Sequence, residues 1–319
     1  MNKAITASWA TLLFLISGSA AGQDRTTSNG LRVDRNYCIT EEQKIQPELA
    51  DLKNAFFFCH QHRFSQNGRL TVAASNDPMP LVSAAKPDPF VNEQLQQTGL
   101  LSYLLYRNGK IVTDAITPKD RLGDVFDNTT LFHSASIGKS FTSYLLGHAI
   151  CRGKIPSLDH TIADWPLLQN TLYQNQKLRD LVNMNVGDSK YFNSQRVLFE
   201  NPLNKRGVNH ATIKYFGESL QNTTPPFFRG FNYSQMVSAS ITNYVAFKMG
   251  DDFESLLEEV YTKKARISLP LEVGYVDPFS NAEDGRFSST VWASRYDYLR
   301  IAIAMLDDWR NDTCVGKYL

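Results

Sequence analysis

Neither sign of charge is in excess in this chain: Lys and Arg number 33 against 32 Asp and Glu. That balance leaves no basic surplus for a nucleic-acid backbone. Long apolar runs are also missing. Trp9–Ile16 is apolar apart from one threonine, too short for a bilayer core of ~30 Å, which takes about 20 residues. Cysteines are scarce, at four: Cys38, Cys59, Cys151 and Cys314. None follows the small-residue patch 17–22, so a lipid anchor is not indicated. Cys59, His60 and His62 have no matching second pair elsewhere, so no metal site is expected. There is no internal repeat and no low-complexity tract. No Gly-x-Ser-x-Gly occurs, which excludes a nucleophile on a sharp strand-to-helix elbow. Gly138-Lys139-Ser140 ends like a phosphate-binding loop, but His133 stands where that loop needs a glycine, so nucleotide binding is not expected.

What is present first is an export leader. Lys3, the apolar run and the small residues 17–22 read as a signal peptide over 1–22, so the protein is expected to be exported, periplasmic or secreted. No membrane span remains after its removal. Hydrophobic residues make up 42% and charged residues 20%, enough for a packed core. Residues 23–95 read as an extension and linker. Pro47–Phe58 carries an amphipathic helical pattern, and residues 75–90 hold Pro78, Pro80, Pro87 and Pro89 among polar residues. Export permits disulfides. Cys38 and Cys59 are the expected pair, and Cys151 is expected as a buried free thiol. Four Asn-x-Ser/Thr sites, at Asn128, Asn222, Asn232 and Asn311, matter only in a glycosylating route.

Residues 96–319 read as the main domain. Leu100–Tyr106 and Ile111–Ala115 are strand-like around Asn108-Gly109, the strongest short hairpin signal. Phe141, Leu145, His148 and Ala149, widened by Leu146 and Ile150, mark a helix that Gly153 ends. Leu178–Met184 is a short helical pattern. Val237, Ile241, Tyr244 and Val245 share one face of another helix. Ser294, with Asp297 three residues on, caps a last helix whose apolar face is Leu299, Ala302, Ile303 and Leu306.

Chemistry concentrates at Ser136-x-x-Lys139, where the Ser136 helix begins. Residues three apart lie on one helix face, with Cβ atoms ~5–6 Å apart. A serine hydroxyl becomes a useful nucleophile when a neighbouring base takes its proton. Lysine serves as that base once neutral, and burial beside a helix N-terminus favours the neutral form. Ser83-x-x-Lys86 has the same spacing, but Pro87 and the prolines around it forbid the helix that would bring the pair together.

Taken in order, several stretches resemble the serine beta-lactamase and penicillin-binding-protein superfamily. They are Asn108-Gly109-Lys110, Ser136–Thr142, Gly153-Lys154-Ile155 with Ser157-Leu158-Asp159, and Leu178–Met184. The closest branch is that of the beta-lactamase-related esterases, DD-peptidases and 6-aminohexanoate-dimer hydrolases, and the match covers about residues 98–310. The resemblance implies an α+β fold, an antiparallel sheet flanked by helices plus a mostly helical lobe. It implies Ser136 as nucleophile, Lys139 as activating base, and Tyr233 as the tyrosine of a Tyr-x-Asn motif that assists proton transfer. Gln235 stands where that motif has asparagine. The Ser136 amide would supply half of an oxyanion hole. No cofactor is implied; the substrate is a small molecule or peptide with an ester or amide bond. The oligomeric state stays open. The family's third motif, Lys/His-Thr/Ser-Gly on a late strand, does not occur after Tyr233. The chain is therefore expected to lack its C-terminal strands, leaving the opening hairpin unpartnered, the protein poorly soluble and turnover low. Two rivals follow: a catalytically impaired relic or penicillin- or peptidoglycan-binding module of this fold, and an exported structural protein.

Overall fold

The computed structural model describes residues 69–98, 100–120, 126–189, 191, 212–227, 229–275 and 282–319, with the backbone of 25–26 and 32–33. The expected leader, the helix expected over Pro47–Phe58, the expected Cys38–Cys59 pair and the Cys59/His60/His62 group lie outside the described residues. The short strands Arg25–Thr26 (β1) and Arg32–Val33 (β2) pair antiparallel. The chain divides into two compact units. The first has residues 86–103 and 114–127 among its described parts, including helix α1, Pro89–Gln97, whose N-cap Asp88 accepts the backbone N–H groups of Phe90 and Val91.

The second unit contains residues 69–85, 104–113 and 128–319 among those described. Its main sheet is antiparallel and four-stranded. Arg69–Val72 (β3) pairs with Leu271–Tyr275 (β7), β7 with Phe287–Ala293 (β8), and β8 with Phe132–His133 (β6). With the helices below, the fold is α+β. Arg69–Val72 lies in the stretch expected to be extension and linker, yet it is an edge strand of this sheet, in register with Gly274 to Leu271.

The hairpin of Ser102–Arg107 (β4) and Lys110–Ile116 (β5) forms as its sequence predicts, turning at Asn108 and Gly109 with φ of 50° and 79°. It stays a two-stranded sheet of its own. Among the described residues no further strand joins it, while β7 and β8 build the middle of the four-stranded sheet. The hairpin is nonetheless not left bare. The Ile111 backbone donates to Val82 and accepts from Ala84, so residues 82–84 run along β5 as a parallel bridge. The unsatisfied edge behind the expected insolubility is therefore covered at that point.

Among the described residues this unit also holds helices Gly138–Cys151 (α2), Leu178–Val182 (α3), Ile213–Ser219 (α4), Gln235–Met249 (α5), Phe253–Leu257 (α6), which runs on as a π-helix over Glu258–Lys264, and Arg295–Arg310 (α7). All six residues expected on the apolar face of α2 are buried, and Gly153 follows the helix at φ 73°. Helix α5 is buried continuously from Met236 to Val245, so it is a core helix rather than a one-faced one. Ser294 caps α7 by accepting the Asp297 N–H, as its spacing predicts. The apolar face expected on α7 is not the buried one: Ile301 and Ala304 are buried, whereas Leu299, Ile303 and Leu306 are half-buried and Ala302 is exposed.

Cys151 is not a free thiol: it is joined to Cys314. After α7 the chain turns back against the end of α2, and two glycines permit the approach. A Cβ on Gly147 would stand 3.2 Å from Tyr318, and one on Gly316 only 2.1 Å from the Asp308 carbonyl. Asp308 fastens the turn. Its carboxylate accepts from Tyr144 Oη (2.6 Å) and Thr313 Oγ1 (2.9 Å) and pairs with Lys264 (2.8 Å).

Beside this junction His148 is buried, 3.5 Å from Glu259. Burial pushes its imidazole down to about 4, against the pull of Asp308 and with the help of Lys264 and Arg152. The unfolded chain takes up this proton near 6.5 and the folded one only near 4. Stability therefore falls as pH drops through that window, by about 3 kcal/mol for this group. Denaturant melts at pH 7 and pH 4 should show the loss in the wild type and a smaller one in His148→Gln. Equal losses would assign the acid sensitivity elsewhere.

Candidate active site

Ser136 does not sit in α2 itself but in a 3₁₀ turn, Ala135–Ile137, that leads into it. The turn is fixed on β8. Ser134 donates its N–H to the Val291 carbonyl (2.8 Å), and its Oγ accepts the Val291 N–H (3.1 Å). Ala135 is held at φ 46°, a left-handed conformation that a non-glycine residue adopts at some cost, and its N–H donates to His133 Nδ1 (3.0 Å). Gly138 follows, and a Cβ there would lie 2.0 Å from the Ser289 carbonyl. This glycine therefore lets the start of α2 touch the strand, which accounts for the Gly-Lys-Ser triplet without a phosphate. The result is an exposed Ser136 side chain with Lys139 half-buried one turn on.

The second contributor is the start of α5. Ser234 is its N-cap and accepts the Val237 N–H. The residues on either side of the cap reach the Ser136 turn. Tyr233 Oη donates to Ser136 Oγ, and Gln235 Oε1 accepts from Lys139 Nζ. Lys139 Nζ also lies 4.8 Å from the centroid of the Tyr233 ring. The structure thus brings together all three residues singled out from the sequence, Ser136, Lys139 and Tyr233. Burial alone would push the Tyr233 phenol up; hydrogen bonds with Ser136 and Lys139, and the lysine charge, outweigh it and leave the phenol below its ordinary value.

Behind Tyr233 is a buried support. The Asn232 N–H donates to the Met184 carbonyl (2.9 Å), and its Nδ2 donates to Asp188 (2.7 Å). Asp188 is fully buried and also accepts from Tyr173 Oη (2.6 Å). Burial and the Asp188 carboxylate hold the Tyr173 phenol well above its usual range, so it stays a donor. Sequence reading missed this support and missed Ser289, whose Oγ accepts from Gln235 Nε2 (2.8 Å). Neither carries a local motif; each becomes visible only when distant elements meet. Ser83, the rival serine, lies in the extended bridge to Ile111, not on a helix.

A cavity of about 580 Å³ opens elsewhere in this unit, lined by Trp165, Phe247, Phe253 and Tyr275 among others, and by none of Ser136, Lys139, Tyr233 or Gln235. Among the described residues, no three His, Cys, Asp or Glu side chains come together as a metal set.

No protein-family model and no curated protein sequence matches the chain. Solved structures do. A Bacillus anthracis protein, assigned provisionally as a 6-aminohexanoate-dimer hydrolase, superposes with a TM-score of 0.60 at 14% identity, over 80% of this chain and 69% of that one. A class C beta-lactamase in complex with cefoxitin aligns at 15% identity with a TM-score of 0.49, over 72% of this chain and 66% of its own. A beta-lactamase/D-alanine carboxypeptidase from Pseudomonas syringae aligns at 16% identity and a TM-score of 0.42, again over 72% and 66%. The first of these likenesses carries the fold. The chain spans about two thirds of the length of these structures.

Proposed function

We propose that this chain, which has the fold of the serine beta-lactamase and penicillin-binding-protein superfamily, is a serine hydrolase acting on an ester or amide bond. The observation that carries the reading is the Tyr233 hydroxyl on Ser136 Oγ, with Lys139 set against the same ring. In the first step Ser136 Oγ bonds to the substrate carbonyl carbon while its proton passes to Tyr233, acting as a phenolate, or to Lys139. The same proton then goes to the leaving oxygen or nitrogen as that bond breaks. Water, deprotonated by the same pair, releases the acid and restores Ser136. The Ser136 amide supplies one oxyanion donor.

The proposal includes export. The 1–22 leader supports it, and so does the Cys151–Cys314 bond, since disulfides persist in oxidising compartments. Among the described residues no helix is long and apolar enough to cross a membrane. The partner is a small-molecule or peptide substrate, and the class C and 6-aminohexanoate-dimer neighbours name the first compounds to assay.

A fluorophosphonate or a penicillin should label the protein, and peptide mapping should place the adduct on Ser136. Ser136→Ala should take no label and Ser83→Ala should take as much as wild type. Undiminished labelling of Ser136→Ala would refute the assignment. The rival, a binding module that acylates without turnover, would show a stable adduct and no released acid.

A further inference from the structure

Resting on the hydrolase reading, we infer that Ser289 is a positioning residue for proton transfer at Ser136, acting through the side-chain amide of Gln235. A glutamine amide has an acceptor end and a donor end. At Gln235 the acceptor end receives a hydrogen bond from Lys139 Nζ, and the donor end reaches Ser289 Oγ at 2.8 Å. The amide is therefore stretched between the base and a strand. A glutamine has three side-chain torsions before its amide, and one tethered only at the lysine is free to swing with it. The second tether removes that freedom and keeps the lysine on the Tyr233–Ser136 side.

Ser289 is well placed for this task. It is 4% exposed, in a strand buried along nearly its whole length. Its backbone carbonyl is the atom against which Gly138 packs, so the strand position is locked to the turn that carries Ser136 and Lys139. Two residues on, Val291 exchanges hydrogen bonds with Ser134. Nucleophile, base and tether thus share one rigid frame. An asparagine at 235 would be one methylene shorter than the glutamine that makes both contacts.

The test is a double-mutant cycle on the rate of Ser136 acylation by a fluorophosphonate, using Ser289→Ala, Gln235→Leu and their combination, with Ser289→Thr as rescue. Ser289→Ala should slow acylation about 10-fold, the size of coupling found within one hydrogen-bond network. Ser289→Thr should recover most of the loss. In the Gln235→Leu background Ser289→Ala should add less than about twofold, because the amide through which it acts is gone. The same factor in both backgrounds, or no loss in Ser289→Ala, overturns the inference while the hydrolase reading stands. A wild-type protein that takes no label at Ser136 overturns the hydrolase reading and this inference with it.

Discussion

Lys139→Ala will slow acylation of Ser136 by about 10²–10⁴-fold, the usual contribution of a positioned base. The expectation rests on geometry. Lys139 is one turn from Ser136, hydrogen-bonded to Gln235 and set 4.8 Å from the Tyr233 ring centroid, so its removal takes away the charge beside the phenol along with its own part in moving the proton. Tyr233 separates these roles. Its phenol is brought below its ordinary value by Ser136 and Lys139, against burial, so acylation should rise with pH as it ionises. Tyr233→Phe should lower acylation and remove that rise while leaving the fold intact, because the ring is 42% exposed and its hydroxyl points at the serine rather than into the core. Stopped-flow acylation across pH measures both variants. A Tyr233→Phe rate and profile equal to wild type would make Tyr233 a packing residue, and an unchanged Lys139→Ala rate would remove lysine from the mechanism.

Cutting the Cys151–Cys314 bond should cost about 4–5 kcal/mol of stability. The two cysteines are 163 residues apart, and a closed loop of that length takes a large share of its entropy from the unfolded chain. The enthalpic side is undisturbed, since the Asp308 contacts with Tyr144, Thr313 and Lys264 do not depend on the sulfurs. Cys151→Ser with Cys314→Ser, melted beside the wild type, should lose on the order of 10 °C. A loss of less than about 2 °C would mean that the Asp308 cluster alone fixes the C-terminal turn. Cys38 and Cys59 are proposed as a second pair; a linked peptide in non-reduced mass mapping would demonstrate it, and free thiols at both positions would refute it.

Several elements were legible from residue order because their signals are local. Asn108-Gly109 needs only its own backbone to turn a hairpin. Gly153 ends α2, and Ser294 with Asp297 starts α7, through contacts within a few residues. Ser136 and Lys139 were found from their three-residue spacing, which here runs from a 3₁₀ turn into the start of α2. Strands β7 and β8 gave no such signal. Phe287–Ala293 is buried on both faces, so it does not alternate, and its Ser288, Ser289 and Thr290 break any apolar run. The same holds for Cys151 with Cys314, and for Ser289 with Gln235. Each joins segments far apart in sequence, and no local pattern states which partner a side chain will meet.

The sheet order has a consequence for the timing of folding. Strand β3, at 69–72, pairs with β7, which arrives some 200 residues later, and β8 follows that. Such pairings are slow, because a long loop must close before any contact rewards it. The hairpin at Asn108-Gly109 and helix α2 can form as soon as their own residues exist, whereas the surface that seats the Ser136 turn, at Ser289 and Val291, is made near the end. The nucleophile's helix is thus early and its working geometry late. Refolding followed by far-ultraviolet signal should run ahead of the return of Ser136 reactivity.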